Sequence, residues 1–449
     1  MTRRLLWASL LAGSLLSLVV SVGVSTQSIV VGSRDGNWVY GYLQPFNGNT
    51  IAVFTFSGAI AFALHAMPSS LVRRHQWLAV LAWLLVGLIV QGLLRSLTPF
   101  TFTQIFVSDT ANSFYSPTRQ YTATALLSEF DRLRRSLPLH AQSNMPGKLI
   151  LVSGLRFISR RPEIMAWLVV VLSDLGGVLL YLFVRDLFGD RRVALYSLVL
   201  YLFVPAKLFF FPLLNAVTPF VVLTCACVLV RWLQTRKPAY AALFGASLYG
   251  LMFFEPLPLV MGLLFALLIA RALWKGEWKT PLRQAAIVMI AFAATYAFFV
   301  AWFHFDLIAT FRQAERDAAA FNAGAQRPYA LWVRQNLLEF AFGMGVCQAV
   351  VFSGLLCMLV ARAVVSTRRL YSPIAVTCFG LAAVLLATDL IGLNRGEVTR
   401  LWIFLACFFQ IPAAYVCARL RNRAAMMLVL GTTLLEGALG TSMIGFIVP

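Results

Sequence analysis

A single aspartate, Asp109, lies in Phe106-Val-Ser-Asp109-Thr-Ala-Asn-Ser-Phe-Tyr115, a dense polar run in a chain that is otherwise mostly apolar. Thr110, Asn112 and Ser113 surround it with hydrogen-bonding groups, and Tyr115 adds an aromatic face. A carboxylate held at a membrane surface in such company can act as a general base toward an acceptor hydroxyl. The plainer alternative is a solvated or helix-capping aspartate. Downstream comes His140-Ala-Gln-Ser-Asn144-Met-Pro146-Gly147-Lys148. Pro and Gly fix a turn there, and Lys148 then carries its ammonium to the level of a lipid phosphate. Snorkelling to headgroups is the competing account of this lysine. Tyr115, His140 and Asn144 are expected to line the substrate cavity, together with Lys207, Glu255 and Glu397 from farther along the chain.

A second group lies far along the chain, in Asn394-Arg395-Gly396-Glu397-Val-Thr-Arg400. Guanidinium groups bind phosphate oxygens in a fork, so Arg395 and Arg400 are candidate phosphate ligands. Ion pairing with Glu397 is the alternative. Glu255-Pro256 falls at the outer tip of a helical hairpin and is expected in the same cavity. Lys207, at the outer end of its span, either joins the phosphate site or snorkels. Asp389 is expected to neighbour Arg395, whereas Asp174 and Glu436 lie deeper. Acids at that depth are either functional or engaged in helix packing. The four histidines are scattered and no HExxH motif occurs, so no metal site is expected. No nucleophilic triad, phosphate-cradling glycine loop or dinucleotide fingerprint is present either.

The elements that must position these residues are membrane helices. Of 449 residues, 60% are hydrophobic and 12% charged. A soluble domain cannot hide that much apolar surface. Apolar runs of spanning length recur without strict alternation, which predicts an all-α polytopic integral membrane protein. The expected spans are 5–25, 50–68, 77–94, 164–184, 193–212, 213–230, 239–253, 256–273, 284–303, 341–361, 372–390, 401–418 and 424–446, a count of about 11–13 helices. The basic start of the first span lacks a clear small-residue cleavage site, so it reads as an anchor, not a signal peptide.

The net charge of +20 invites a nucleic-acid reading, but its distribution points elsewhere. With the N-terminus inside, 20 of the 37 basic residues and only three of the 17 acidic residues fall on the inside. That is the positive-inside bias. The charge reports orientation and no nucleic-acid partner is expected. The seven cysteines all fall within spans, so no disulfide framework is implied.

No internal repeat or linker is evident, so the chain reads as one domain, 1–449. Two long loops lie outside, at 95–161 and 304–340. In the first, Leu126, Phe130, Leu133 and Leu137 fall at helical spacing among charges and predict an interfacial amphipathic helix. The second holds a predicted helix over 307–321 and a turn over 322–328.

The order of these features resembles the membrane-embedded glycosyltransferases of the GT-C class, in particular the protein O-mannosyltransferase and aminoarabinose transferase group. Asp109 stands where that family has an Asp in its first large outside loop. Asn144-Met-Pro146-Gly147-Lys148 stands at its His-Pro-Pro-Gly or Lys-Pro-Pro motif. Val184 to Gly189 is similar to the family's inside turn, Leu213 to Pro219 to its outside hairpin, and Leu251 to Pro256 to its Lys-Pro region. Gly396-Glu397-Val-Thr-Arg400-Leu-Trp402 resembles its Gly-Glu…Arg…Trp segment. The resemblance covers residues 77 to 420. Asn144-Met145 in place of His-Pro, one aspartate in place of an Asp-Glu pair, and two extra early spans are departures from the pattern.

The resemblance implies a polyprenyl-phosphate sugar as donor, and a glycolipid, glycan or protein as acceptor. The bilayer is the only other partner implied, with no cofactor and thin support for a divalent ion. It implies an inverting displacement with Asp109 as base, and with Lys148, Arg395 and Arg400 on the donor phosphate. The arginine-rich, loop-poor style fits a bacterial inner membrane with an extracytoplasmic active site. Three rivals accompany this reading. They are a lipid or solute transporter, a polysaccharide ligase or polymerase using a lipid-pyrophosphate donor, and an inactive scaffold of the same fold.

Overall fold

The computed structural model describes residues 3–67, 74–274, 279–365 and 370–449. Arg73, Lys275, Glu277, Arg368 and Arg369, counted in the charge argument, lie outside the described residues. The described residues are predominantly helical, and among them twelve helical stretches are long and apolar enough to cross a membrane. Each of the twelve matches an expected span. The thirteenth expected span is the shorter apolar helix Pro238–Phe254.

In chain order, α1 (Arg3–Ser25) leads to a two-stranded hairpin, β1 (Val31–Ser33) and β2 (Trp38–Tyr40). Two spanning helices follow, α2 (Gly48–His65) and α3 (Gln76–Arg95). The first long loop then contains α4 (Phe102–Val107), α5 (Tyr115–Gln120), α6 (Ala123–Ser128), α7 (Phe130–Leu133), α8 (Leu139–Ser143) and α9 (Gly147–Ile158). Next come α10 (Pro162–Phe188), α11 (Arg191–Leu202), α12 (Pro205–Phe210), α13 (Thr218–Thr235), α14 (Pro238–Phe254), α15 (Gly262–Trp274) and α16 (Lys279–Phe303). The second long loop forms α17 (Leu307–Gly324) and α18 (Tyr329–Met344). The remaining helices are α19 (Val346–Val365), α20 (Pro373–Ile391), α21 (Val398–Leu401), α22 (Ile403–Phe408), α23 (Gln410–Leu420) and α24 (Arg423–Met443).

Local sequence explains where these helices begin and end. Pro162 opens α10 at a position where a missing N–H costs nothing, and Gly189 closes it in the left-handed conformation. Asp190 follows at once and caps α11 by accepting from the Arg192 and Val193 amides. Asn47 caps α2, Asp306 caps α17, Ser372 caps α20 and Asn422 caps α24 in the same manner.

The stretches Arg191–Phe210 and Ile403–Leu420 are mostly buried and form the centre of the bundle, whereas along Leu282–Phe303 Gln284 alone is buried and the helix is peripheral. Both central stretches are broken, at Val204-Pro205 and at Phe409.

The first loop differs from its expected form. Leu126, Phe130, Leu133 and Leu137 are all buried, but they lie on short pieces and not on one helix, because the backbone leaves helical geometry at Glu129 and the chain continues through α7 and a 3₁₀ turn. Their apolar face is covered by protein: α6 packs on α9 and α16, and Phe130 meets Phe305 edge-on. Arg134 ties this loop to the second by donating to Asp317 at 2.6 Å and to the Gln142 carbonyl at 2.8 Å. In the second loop the helix predicted over 307–321 runs on to Gly324.

Candidate active site

Gly147, the first residue of α9, sits directly against the backbone of Phe253 and Phe254 at the end of α14. A Cβ at that position would overlap the Phe253 carbonyl and the Phe254 Cα. This close approach, open only to glycine, brings the next residue, Lys148, to Glu255. The ammonium lies 3.0 Å from Glu255 Oε2, and both side chains are buried. Glu255 also accepts from the Thr218 hydroxyl. The rings of Phe114 and Phe254 flank Lys148 at 5.8 and 5.9 Å. Burial lowers the Lys148 pKa, Glu255 opposes that shift, and Arg400 adds to it.

Asn144 links this pair to a second cluster. Its Oδ1 lies 3.5 Å from Lys148 Nζ, and its Nδ2 donates to the His140 carbonyl at 2.8 Å. His140 Nε2 lies 3.2 Å from an Arg400 guanidinium nitrogen. A guanidinium can only donate, so Nε2 is the unprotonated ring nitrogen. The ring also hydrogen-bonds the Thr110 backbone. Burial first, and then Arg400, pushes the His140 pKa down to about 4, leaving the ring neutral near pH 7. Arg400 in turn contacts Glu397 at 2.5 Å, and Glu397 accepts from Arg327 at 3.1 Å. Burial pushes the Glu397 carboxyl up, but Arg400 and Arg327 together outweigh that and hold it below its ordinary value.

The turn that presents Glu397 is built locally. Gly396 and Glu397 both have left-handed backbones, and Gly396 packs so closely on Trp332 that a Cβ would strike the indole. Asn336 braces the turn by donating to Asp389 Oδ1 at 3.1 Å and to the Asn394 carbonyl at 2.9 Å, and by accepting from the Gly396 amide at 3.1 Å. Asp389 therefore pairs with Asn336 and not with Arg395. Arg395 donates to the Gly392 and Arg327 carbonyls and lies over the Tyr329 ring. Its polar contacts serve the loop, and Arg400 alone of the two arginines pairs with Glu397.

Asp109 is exposed. Its carboxylate accepts from the Ser116 hydroxyl, and its carbonyl accepts from Ser113. Ser113 Oγ also accepts from the His140 amide at 3.2 Å. The Asp109 turn is thus joined to His140 through both Thr110 and Ser113. Tyr115 opens α5 and packs on Phe106 at 5.5 Å.

Lys207 is not in this group. It is fully buried, with its ammonium 3.1 Å from Asp174, 3.3 Å from the Tyr201 carbonyl and over the Tyr201 ring. It neither snorkels nor joins His140 and Arg400, because the break at Pro205 consumes its donors.

Three contributors went unread in the sequence. Arg327 emerges from the second loop, and its guanidinium lies 4.8 Å from the Trp38 ring centre. Glu339 in α18 accepts from the Val398 amide at 3.2 Å and fixes the start of α21. Tyr40, on β2, is buried, and its pKa is raised by burial and then by Glu339 and Glu397. The hairpin was legible in principle, since Arg34-Asp-Gly-Asn37 is a turn sequence between apolar flanks. It docks on the second loop through Trp332 Nε1 to the Gly36 carbonyl at 3.1 Å and Asn37 to the Gln326 carbonyl at 2.9 Å.

The result is that Lys148, His140, Arg400 and Arg327 come together with Glu255, Glu397, Glu339 and the Asp109 turn, from four parts of the chain, at one end of the bundle. The Nε atoms of Arg327 and Arg400 are buried and make no hydrogen bond among the described residues, which suits an anion as further acceptor. Among the described residues no group of three His, Cys, Asp or Glu side chains is placed to hold a metal ion. No protein-family model matches the chain, and no curated protein matches it.

Proposed function

We propose that this chain is a GT-C-type glycosyltransferase that moves a sugar from a polyprenyl-phosphate donor to an acceptor hydroxyl at the extracytoplasmic face of a bacterial inner membrane. The observation that carries this reading is the union of Lys148, His140, Arg400 and Arg327 with the Asp109 turn at one end of the helices. In the proposed reaction Asp109 accepts the hydroxyl proton as the acceptor oxygen bonds to the anomeric carbon. The bond from that carbon to the phosphate oxygen breaks, its electron pair stays on the lipid phosphate, and configuration inverts. Arg400 and Lys148 face the charge that develops on the phosphate. Glu397 and Glu255 hold those two cations in place, and neutral His140 orients Arg400. Arg395 is assigned to shaping the loop and Lys207 to the membrane interior. Tyr115 and Asn144 remain candidates for contact with the sugar.

Mass spectrometry of envelope glycans from cells lacking the protein, or carrying wild type or Asp109→Asn at equal membrane levels, tests this. The expected result is a glycoform one sugar shorter in both the null and the mutant. Wild-type glycans in the Asp109→Asn strain would remove Asp109 from the mechanism. A second reading, a lipid or solute transporter, draws on the Lys207–Asp174 pair buried within the spans. It predicts unchanged glycan structures in every strain and altered movement of a labelled lipid.

A further inference from the structure

At the opposite end of the bundle a cavity of about 870 Å³ opens among α2, α3, α10, α11, α23 and α24. Five arginines line it: Arg191 and Arg192 at the start of α11, and Arg419, Arg421 and Arg423 around the α23–α24 turn. Among the described lining residues one carboxylate stands against them, Asp190, and its Oδ1 is already engaged in capping α11. The bias of arginine toward this end of the bundle supplies such residues along its turns; what sets these five apart is that they converge on one cavity. At the neighbouring turn on the same face, Asp186 pairs with both Arg185 and Arg231 at 2.9 Å. The five arginines of the cavity have no carboxylate within ion-pair distance among the described residues.

The arginines are also partly fixed. Arg423 donates to the Ala66 and Met67 carbonyls at 2.8 and 3.1 Å, which ties α24 to the end of α2. Arg419 lies over the Tyr415 ring at 5.0 Å. The floor is marked by Trp83, seven residues into α3 and about 10 Å along a helix from its first residue; Leu64, Leu195 and Phe188 add further apolar lining, and His65, Gln76, Tyr181 and Tyr196 complete the wall. A ring of cations above an apolar floor at the end of membrane spans matches an amphiphile with an anionic head. A free anion would use the ring and leave the floor uncovered.

We propose that this cavity binds the phosphate headgroup of an anionic phospholipid, with the arginines on the phosphate and the chains against the apolar floor. The site is independent of the transferase reading, because it shares no residue with the His140–Arg400 cluster. The test uses full-length protein in detergent with phosphatidylglycerol, phosphatidylcholine or inorganic phosphate, read by native mass spectrometry and thermal shift. Phosphatidylglycerol is expected to bind wild type and to raise its unfolding temperature, with phosphatidylcholine ineffective. The double variant Arg192→Gln, Arg419→Gln should weaken that binding about tenfold or more. Arg192→Lys with Arg419→Lys should largely retain it, and Arg231→Gln, outside the cavity, should leave it unchanged.

Undiminished phosphatidylglycerol binding by the double glutamine variant overturns the site. Binding of inorganic phosphate with the same arginine dependence, and none of phosphatidylglycerol, overturns the lipid assignment in favour of a soluble phosphoanion. Should the double variant not purify as a single species, the single variants Arg192→Gln and Arg421→Gln carry the same comparison.

Discussion

At the scale of single residues, His140 is the side chain that joins the Asp109 turn to Arg400. Its depressed pKa gives it a stability signature with a definite sign. The unfolded chain binds a proton on this ring as pH falls through about 6.5, whereas the folded ring takes one up only near 4. The contribution of the buried neutral ring is therefore complete above about 6.5 and is lost progressively as pH falls toward 4. The unfolding temperature in detergent should drop between pH 7.5 and pH 5, and His140→Gln should shrink that drop. An equal drop in the variant would mean that His140 is not the titrating group. Asp109 draws notice in the sequence because an acid in a long polar loop stands out against apolar spans, and its role as base is part of the proposal above. Arg327 and Glu397 were not readable as a pair. They are 70 positions apart in the chain, and nothing local marks either as the partner of the other.

At the scale of elements, the charges buried between helices sit where helices break. Pro205 has no N–H, so the last carbonyls of α11 lack their usual donors. Lys207 donates to the Tyr201 carbonyl, Gln91 donates to the Leu202 carbonyl at 3.1 Å, and both also donate to Asp174. The junction of α18 and α19 follows the same logic. Gly345 is left-handed there, Gln410 donates to the Met344 carbonyl at 3.0 Å, and Glu436 accepts from the Val346 amide at 3.1 Å. Broken backbone is tolerated in a membrane only when side chains satisfy it. Lys207→Met should therefore cost about 3–5 kcal/mol by leaving Asp174 buried without its cation. Adding Asp174→Leu should recover part of that loss, measured as unfolding temperature in detergent. A single variant as stable as wild type would show that the pair holds nothing together. The sequence marked these acids as exceptional, but their partners were fixed by which helices pack together.

At the scale of the whole molecule, the two ends of the bundle differ in kind. One carries both long loops and the hairpin, and the other carries short arginine-rich turns. The proposed orientation puts the loops outside. Asp131→Cys should then react with a membrane-impermeant maleimide on intact cells, and Lys237→Cys only after permeabilisation. The reverse pattern would invert the orientation and with it the side on which a donor is used. The apolar runs alone determined the helical class and thirteen expected spans, twelve of which coincide with long apolar helices among the described residues, because hydropathy is a property of contiguous residues. The sequence likewise determined where the polar loops fall and how charge divides between the two ends. Only the tertiary structure decided that His140 meets Arg400 across 260 positions, that Lys148 finds Glu255, and that Lys207 turns inward to Asp174. It also decided that Tyr40 and Arg327 belong beside the site. These are contacts between distant segments, set by packing and by the need of each buried polar group for a partner, and no local pattern encodes them.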